Sequence, residues 1–265
     1  MSKLLIKGRA SGRDIVTVTP ASAGWRHVGF AAKRLAAGER LAVDTVNDEL
    51  CIVVLTGAVT ITTGDRVWRD VGGRRSVFED RSPHAAYVPP GRSVSIDAVD
   101  AAEIALCTAP ATGRYEARLI EPASITRSVR GSGTNTRYVC DILPQTEPAE
   151  GLLVVEVVTP AGHASSYPPH KHDVDAIPVE SVLEETYYHR LDPEQGFAFQ
   201  RVYTDSRDID EAYAVENHDV VMVPRGYHPV VAPHGYRSYY LNVMAGPKRV
   251  WHFRNDPAHE WMLAK

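Results

Sequence analysis

The sequence predicts an all-β chain made of two similar halves. Short apolar or alternating segments recur from end to end, with Gly, Pro, Asp and Asn between them, and long helical periodicity is scarce. In chain order the strand-like segments are residues 50–55, 58–62, 93–96, 152–158, 197–202, 220–223 and 237–243. Each is four to seven residues long and rich in Val, Ile, Leu, Tyr or Thr, as a half-buried or buried strand requires. Residues 147–151 and the C-terminal tail admit a short helix, but nothing in their pattern forces one.

An internal echo carries the second part of the prediction. Val88-Pro89-Pro90-Gly91-Arg92-Ser93-Val94 reappears as Val223-Pro224-Arg225-Gly226-Tyr227-His228-Pro229-Val230, at an offset of 135 (223 minus 88). Glu49-Leu50-Cys51-Ile52 resembles Glu185-Thr186-Tyr187-Tyr188 at an offset of 136 (185 minus 49). Two matches at nearly one period indicate a duplicated β unit. In both copies proline presets φ and glycine tolerates a positive one, giving a tight turn into the next strand. The division is expected at residues 1–128 and 129–265, with the polar stretch 125–136 as the linker.

The chain has 265 residues, 44% of them hydrophobic, which is ample for packed cores. Its formal net charge is -4 with acids and bases interspersed, so no basic face is offered to a nucleic acid or an anionic membrane. The apolar run after Met1 is too short for a signal sequence and no stretch is long enough to span a bilayer, which places the protein in the cytoplasm. Cys51, Cys107 and Cys140 are odd in number and widely spread, against both a disulfide framework and a thiolate metal site; the first two read as core. Exposed sheet edges suggest a homo-oligomer.

His170-Lys171-His172 carries the chemistry. On a strand residues 170 and 172 project together while Lys171 points away, and His228 adds a third imidazole from a later strand. With one carboxylate, this donor set suits a divalent ion such as Zn²⁺, Mn²⁺ or Fe²⁺ with coordination positions to spare. The acid is one of Glu180, Glu184 and Glu185. Adjacent strand residues face opposite ways, so 184 and 185 cannot both serve, and the echo with Glu49 favours Glu185. The first half has the turn without the ligands, since Ser93 stands where His228 stands.

His-x-His, a later Glu opening a strand, and Pro-x-x-x-His resemble the two signature motifs of the cupin superfamily, and two units would make a bicupin. More narrowly, residues 167–173, 183–190, 223–229 and 239–246 resemble the 5-deoxy-glucuronate isomerases of myo-inositol catabolism, as do 24–30 and 47–51, over nearly the whole chain. The related 5-keto-4-deoxyuronate isomerases share the architecture and a His, His, Glu, His metal site. The resemblance implies duplicated double-stranded β-helix barrels with metal in the C-terminal one. It also implies interconversion of 5-deoxy-D-glucuronate and 2-deoxy-5-keto-D-gluconate. The chain departs from common cupins in residues 173–184, which intervene before Glu185 and make Asp173 and Asp175 substitutes to weigh.

Moving a carbonyl from C1 to C2 needs no nicotinamide or flavin. It needs polarised substrate oxygens and either a base at C2 or a hydride shift. The base is sought first among Glu180, Glu184 and Asp175, then His189, His234, Tyr187 and Tyr240. Arg237 and Arg190 are the first choices for the substrate carboxylate, which suits a guanidinium fork. Two other classes fit a His-rich cupin: a metal-dependent dioxygenase, which anaerobic turnover would separate, and a non-catalytic sugar-binding protein.

Overall fold

The computed structural model describes residues 4–264, and all its paired strands run antiparallel. One sheet follows the order Arg118–Ile120, His84–Val88, Asp48–Thr63, Ala102–Pro110, Gly29–Leu35, Asp14–Val18. The far half of its long strand carries Arg66–Arg74 and Ser93–Ala98, and Arg40–Asp44 pairs with the latter to close the first barrel. The second large sheet follows the order Leu5–Ile6, Val220–Val223, Glu184–Asp192, Arg237–Ala245, Leu153–Thr159, Arg137–Leu143, Thr126–Arg130. A four-stranded sheet, Ala164–Ser165, Val230–Val231, Phe197–Tyr203 and Asp210–Glu216, forms the other wall of the second barrel. The fold is all-β and bicupin.

The expected strands are present, with one difference. Residues 50–55 and 58–62 belong to a single strand, Asp48–Thr63, in which Gly57 takes φ +76° and the register shifts on either side. The glycine bends the strand from one wall of the barrel to the other. Residues 147–151 form no helix. The backbone N–H groups of residues 150–152 point instead at the Glu49 carboxylate, at 2.6–2.8 Å. The expected linker contains the edge strand Thr126–Arg130, so the sheets change over between Ile120 and Thr126, ahead of 128, and Leu5–Ile6 returns to the second sheet.

Strand alternation distributes the core. Leu50, Ile52 and Val54 point into the first barrel with Val59, Ile61, Ile96, Ile104 and Leu106. Cys51, Val53 and Cys107 point the other way and pack with Tyr188, Leu241 and Val243 of the second sheet, so the barrels share one apolar seam. Charged residues pin that seam. Arg74 donates to Glu156 at 2.8 and 3.2 Å, and Tyr239 donates to the same carboxylate at 3.0 Å.

Candidate metal centre

Glu184–Asp192 is the central strand of the site. Glu185 lies opposite Val223 and Met244, so alternation sends Glu185, Tyr187 and His189 into the second barrel and Glu184, Tyr188 and Arg190 to the seam. The tight turn before residue 228 brings His228 in from the opposite wall, with Gly226 at φ +92°. The backbone carbonyl of Tyr203 would lie 2.5 Å from any Cβ at position 226, so only glycine fits there. His172 follows the short strand His170–Lys171, which pairs with Arg254–Asn255 of the tail.

Potential ligand atoms of His172, Glu185 and His228 lie within 4.8 Å of one another, all buried. His228 Nδ1 donates to Gly226 O at 2.8 Å and His172 Nδ1 to Leu183 O at 3.1 Å. In the neutral imidazoles both Nε2 lone pairs therefore face Glu185 Oε2, at 3.2 and 3.0 Å. His228 Nε2 is buried without a hydrogen-bond partner. Two lone pairs aimed at one carboxylate oxygen repel unless a cation or proton lies between, so this donor set fits a divalent metal ion. Asn242 donates to Glu185 Oε1 at 2.6 Å and fixes the carboxylate.

Burial lowers the pKa of His228 to about 3, partly offset by the Glu185 charge. Burial likewise lowers His170 to about 3, helped by the neighbouring His172 and Arg137. For His172, burial works downward but the Glu185 hydrogen bond and charge outweigh it and raise the pKa. His170 and His228 are thus neutral near pH 7, as metal ligands must be. His170 sits at the rim, its ring centroid 4.8 Å from His228, 6.4 Å from His172 and 4.6 Å from Phe253.

A cavity of about 530 Å³, in the range of small-molecule pockets, reaches this cluster at Glu185 and is also lined by His170. Its walls include Arg130, Arg137, Ser166, His170, Glu185, Tyr187, Tyr240, Asn242 and Trp251. Ser166 Oγ lies 3.0 Å from Tyr187 Oη and 3.4 Å from Tyr240 Oη. Burial raises both tyrosines, Tyr187 well above its usual value with help from the Glu185 charge, so both keep their protons.

Several expected site residues lie elsewhere. Glu184 accepts from the backbone N–H groups of Arg26, His27 and Val28 at 2.7–3.1 Å, on the seam. Glu180 is buried against Lys171 at 2.9 Å and caps the backbone of Asp173 and Val174. Asp175 pairs with Lys248 on the surface, and Asp173 holds Lys171 and Gly226 N. Each acid is consumed by a partner that periodicity cannot reveal. His189 lies deeper in the barrel, 2.8 Å from Gln200 and stacked at 6.1 Å on Tyr187, with burial lowering its pKa to about 4; His234 is exposed in its turn. Arg237 is exposed and paired with Asp192, and Arg190 is tied to Glu103 and Asn217 at the seam. Neither lines the cavity; Arg130 and Arg137 do.

The basis for choosing Glu185 also changes. Leu50 pairs with Val88 as Glu185 pairs with Val223, so the counterpart of Glu185 is Leu50 and that of Glu49 is Glu184. The duplicated acids do one job. Glu49 receives the N–H groups of residues 150–152, and Glu184 receives those of residues 26–28. A consistent offset of 135 in the sequence carries this signal.

The sequence model of the KduI/IolB family matches residues 4–262. A Geobacillus thermodenitrificans NG80-2 protein named 5-deoxy-glucuronate isomerase is 50% identical over 265 residues, covering 99% of this chain and 97% of the relative. The crystal structure of an IolB-like protein from Salmonella typhimurium LT2 superimposes with TM-score 0.97 at 44% identity, covering 98% of this chain and 99% of that one. Lactobacillus farciminis oxalate decarboxylase in its formate complex aligns with TM-score 0.66 at 12% identity, covering 100% and 91%, a likeness of fold.

Proposed function

The chain belongs to the KduI/IolB family, and from that membership we propose how its second barrel works as an aldose–ketose isomerase acting on 5-deoxy-glucuronate. The observation that carries the reading is the convergence of two imidazole lone pairs on one buried carboxylate beneath a cavity sized for a sugar acid. His172, Glu185 and His228 would hold the ion, with His170 joining by a side-chain adjustment at the rim. Two to three imidazoles with one carboxylate suit Zn²⁺, our first choice, and also Mn²⁺ or Fe²⁺. A divalent ion held there would supply Lewis-acid polarisation of substrate oxygens.

The protein's own groups supply the rest. Asn242 orients Glu185, and the Gly226 and Leu183 carbonyls fix the tautomers of His228 and His172. The protonated hydroxyls of Tyr187 and Tyr240, bridged by Ser166, are placed to pass a proton between the C2 hydroxyl and the C1 oxygen. Among the described cavity residues the only carboxylate is Glu185, already held by the histidines and Asn242. We therefore assign the C2 hydrogen a direct transfer to C1 within the substrate. The product, 2-deoxy-5-keto-D-gluconate, carries its ketone on the carbon that was C2 of the aldose, and we place it in cytoplasmic myo-inositol degradation. Pairing of copies through an exposed edge such as Thr126–Arg130, where Val129 is 64% exposed, fits the suggested homo-oligomer.

The test is a proton spectrum of 5-deoxy-glucuronate with zinc-loaded protein in heavy water without oxygen. The aldehyde signal should disappear with no solvent deuterium at C1. Deuterium at C1 would replace the direct transfer by an enediol route, and a requirement for oxygen would replace the isomerase by an oxygenase.

A further inference from the structure

We propose that Arg137 is the receptor for the substrate's carboxylate, holding the acid end of the sugar while C1 and C2 lie over the His172, Glu185 and His228 cluster. This inference rests on the isomerase reading and adds the residue that makes the site specific for an acid. Arg137 opens the strand Arg137–Leu143 and lines the same cavity as His170, Glu185, Tyr187 and Tyr240. It is half-buried, and the one hydrogen bond of its side chain among the described residues is from Nη1 to Asn135 O at 3.1 Å.

The two arginines that the sequence favours, and Arg225 beside them, are already neutralised. Arg190 meets Glu103, Arg225 meets Asp208 and Arg237 meets Asp192. Arg130, the second guanidinium in the cavity wall, lies 3.3 Å from Asp141 and 5.8 Å from the Trp251 ring. Arg137 has no acid within ion-pair distance among the described residues. A partly dehydrated guanidinium without a counter-charge is costly, and an anion entering the cavity removes that cost. With Nη1 occupied, the Nε and Nη2 edge remains for a bidentate carboxylate.

The surroundings hold this cation in place. Asn135, whose carbonyl receives Arg137, donates from Nδ2 to Tyr167 O at 3.0 Å, tying the arginine's loop to the segment that leads into His170. Gly131 takes φ +77°, and a Cβ there would come within 2.7 Å of Arg137 Nη1 and 2.2 Å of Asn135 O. Burial, then the charge of Arg130, lowers the arginine's pKa, yet an arginine keeps its charge near neutrality.

The experiment compares binding of D-glucuronate and D-glucose to the zinc-loaded full chain by calorimetry, for the unaltered protein, Arg137→Met and Arg137→Lys, with turnover of 5-deoxy-glucuronate measured alongside. The glucuronate Kd should rise about 10- to 100-fold in Arg137→Met and less in Arg137→Lys, as expected for losing a charge-assisted bidentate contact. D-Glucose binding should not change, and KM should rise more than kcat falls. Arg137→Met binding glucuronate as tightly as the unaltered protein, or an unaltered protein that does not prefer the acid, overturns the proposal. Arg137-dependent glucuronate binding without turnover supports the receptor and overturns the isomerase reading instead.

Discussion

The two barrels share a frame and differ in what fills it. Leu50, Ile52 and Val54 of the first occupy the register positions of Glu185, Tyr187 and His189 in the second, and their neighbours Leu106 and Ile104 correspond to Asn242 and Tyr240. The first interior is closed by aliphatic packing. In the second interior, His228 Nε2, His189 Nδ1 and Gln200 Nε2 remain buried without partners. Outward-facing residues and turn glycines set the barrel, while inward residues decide whether it is a core or a site. A buried polar interior is unfavourable for stability, so the first barrel, whose interior has aliphatic residues where the second has Glu185, Tyr187 and His189, shows what the frame needs by itself.

Exchanging interior residues tests the comparison most severely. Glu185→Leu places the interior residue of the first barrel in the second, and His228→Ser gives the second turn the residue of the first, where Ser93 is exposed. Each should lower turnover by more than about 100-fold, since removing even a group that only supports a metal ligand costs 10- to 100-fold. Both proteins should melt no lower than the chelated parent. Full activity in either would break the distinction between the barrels.

The reciprocal acids come next. Glu49→Gln and Glu184→Gln each weaken three backbone contacts across the seam, and each should cost about 1.5–3 kcal/mol in denaturant unfolding. Similar losses, with kcat of the folded fraction unchanged, sharpen the equivalence. A kcat loss confined to Glu184→Gln would make it catalytic after all. A smaller effect is expected from Asn242→Leu, which restores the first-barrel residue beside Glu185; zinc affinity should fall about 10-fold or somewhat more in a competition titration.

The smallest effect concerns pH. His218, 2.6 Å from Tyr188 Oη at the seam, is lowered to about 3 by burial and then by the charges of Arg190 and Arg34. The unfolded chain binds this proton below about pH 6.5 and the folded chain does not, so stability is complete above that value and declines as pH falls towards 3. His218→Gln should make the slope of unfolding free energy between pH 4 and 6 shallower by about 1.4 kcal/mol per pH unit. An unchanged slope would show that the seam histidine takes up its proton in the folded state.

Much of this was legible because it is local. Val220–Val223 and its neighbours announce themselves by composition, the Pro-x-Gly turns by their residues, and the histidine pair by its spacing. The phase of the echo was the harder part. An offset of 136 matched Glu49 to Glu185, whereas the backbone pairs at 135, and only the hydrogen-bonded register separates the two. The acids at 175, 180 and 184 and the arginines at 190 and 237 looked available because their partners, Lys248, Lys171, the N–H groups of 26–28, Glu103 and Asp192, are mostly distant in sequence. Arg137 leaves no such trace, since the lack of an acid within ion-pair distance among the described residues makes no pattern in the sequence.

The most direct test follows the rate of 5-deoxy-glucuronate isomerisation as zinc is titrated into chelated protein. The rate should rise from near zero to a plateau at one ion per chain in the parent and stay flat in His228→Ser. Full activity in the chelated parent, or a normal plateau in His228→Ser, would contradict a second barrel that works through its metal cluster.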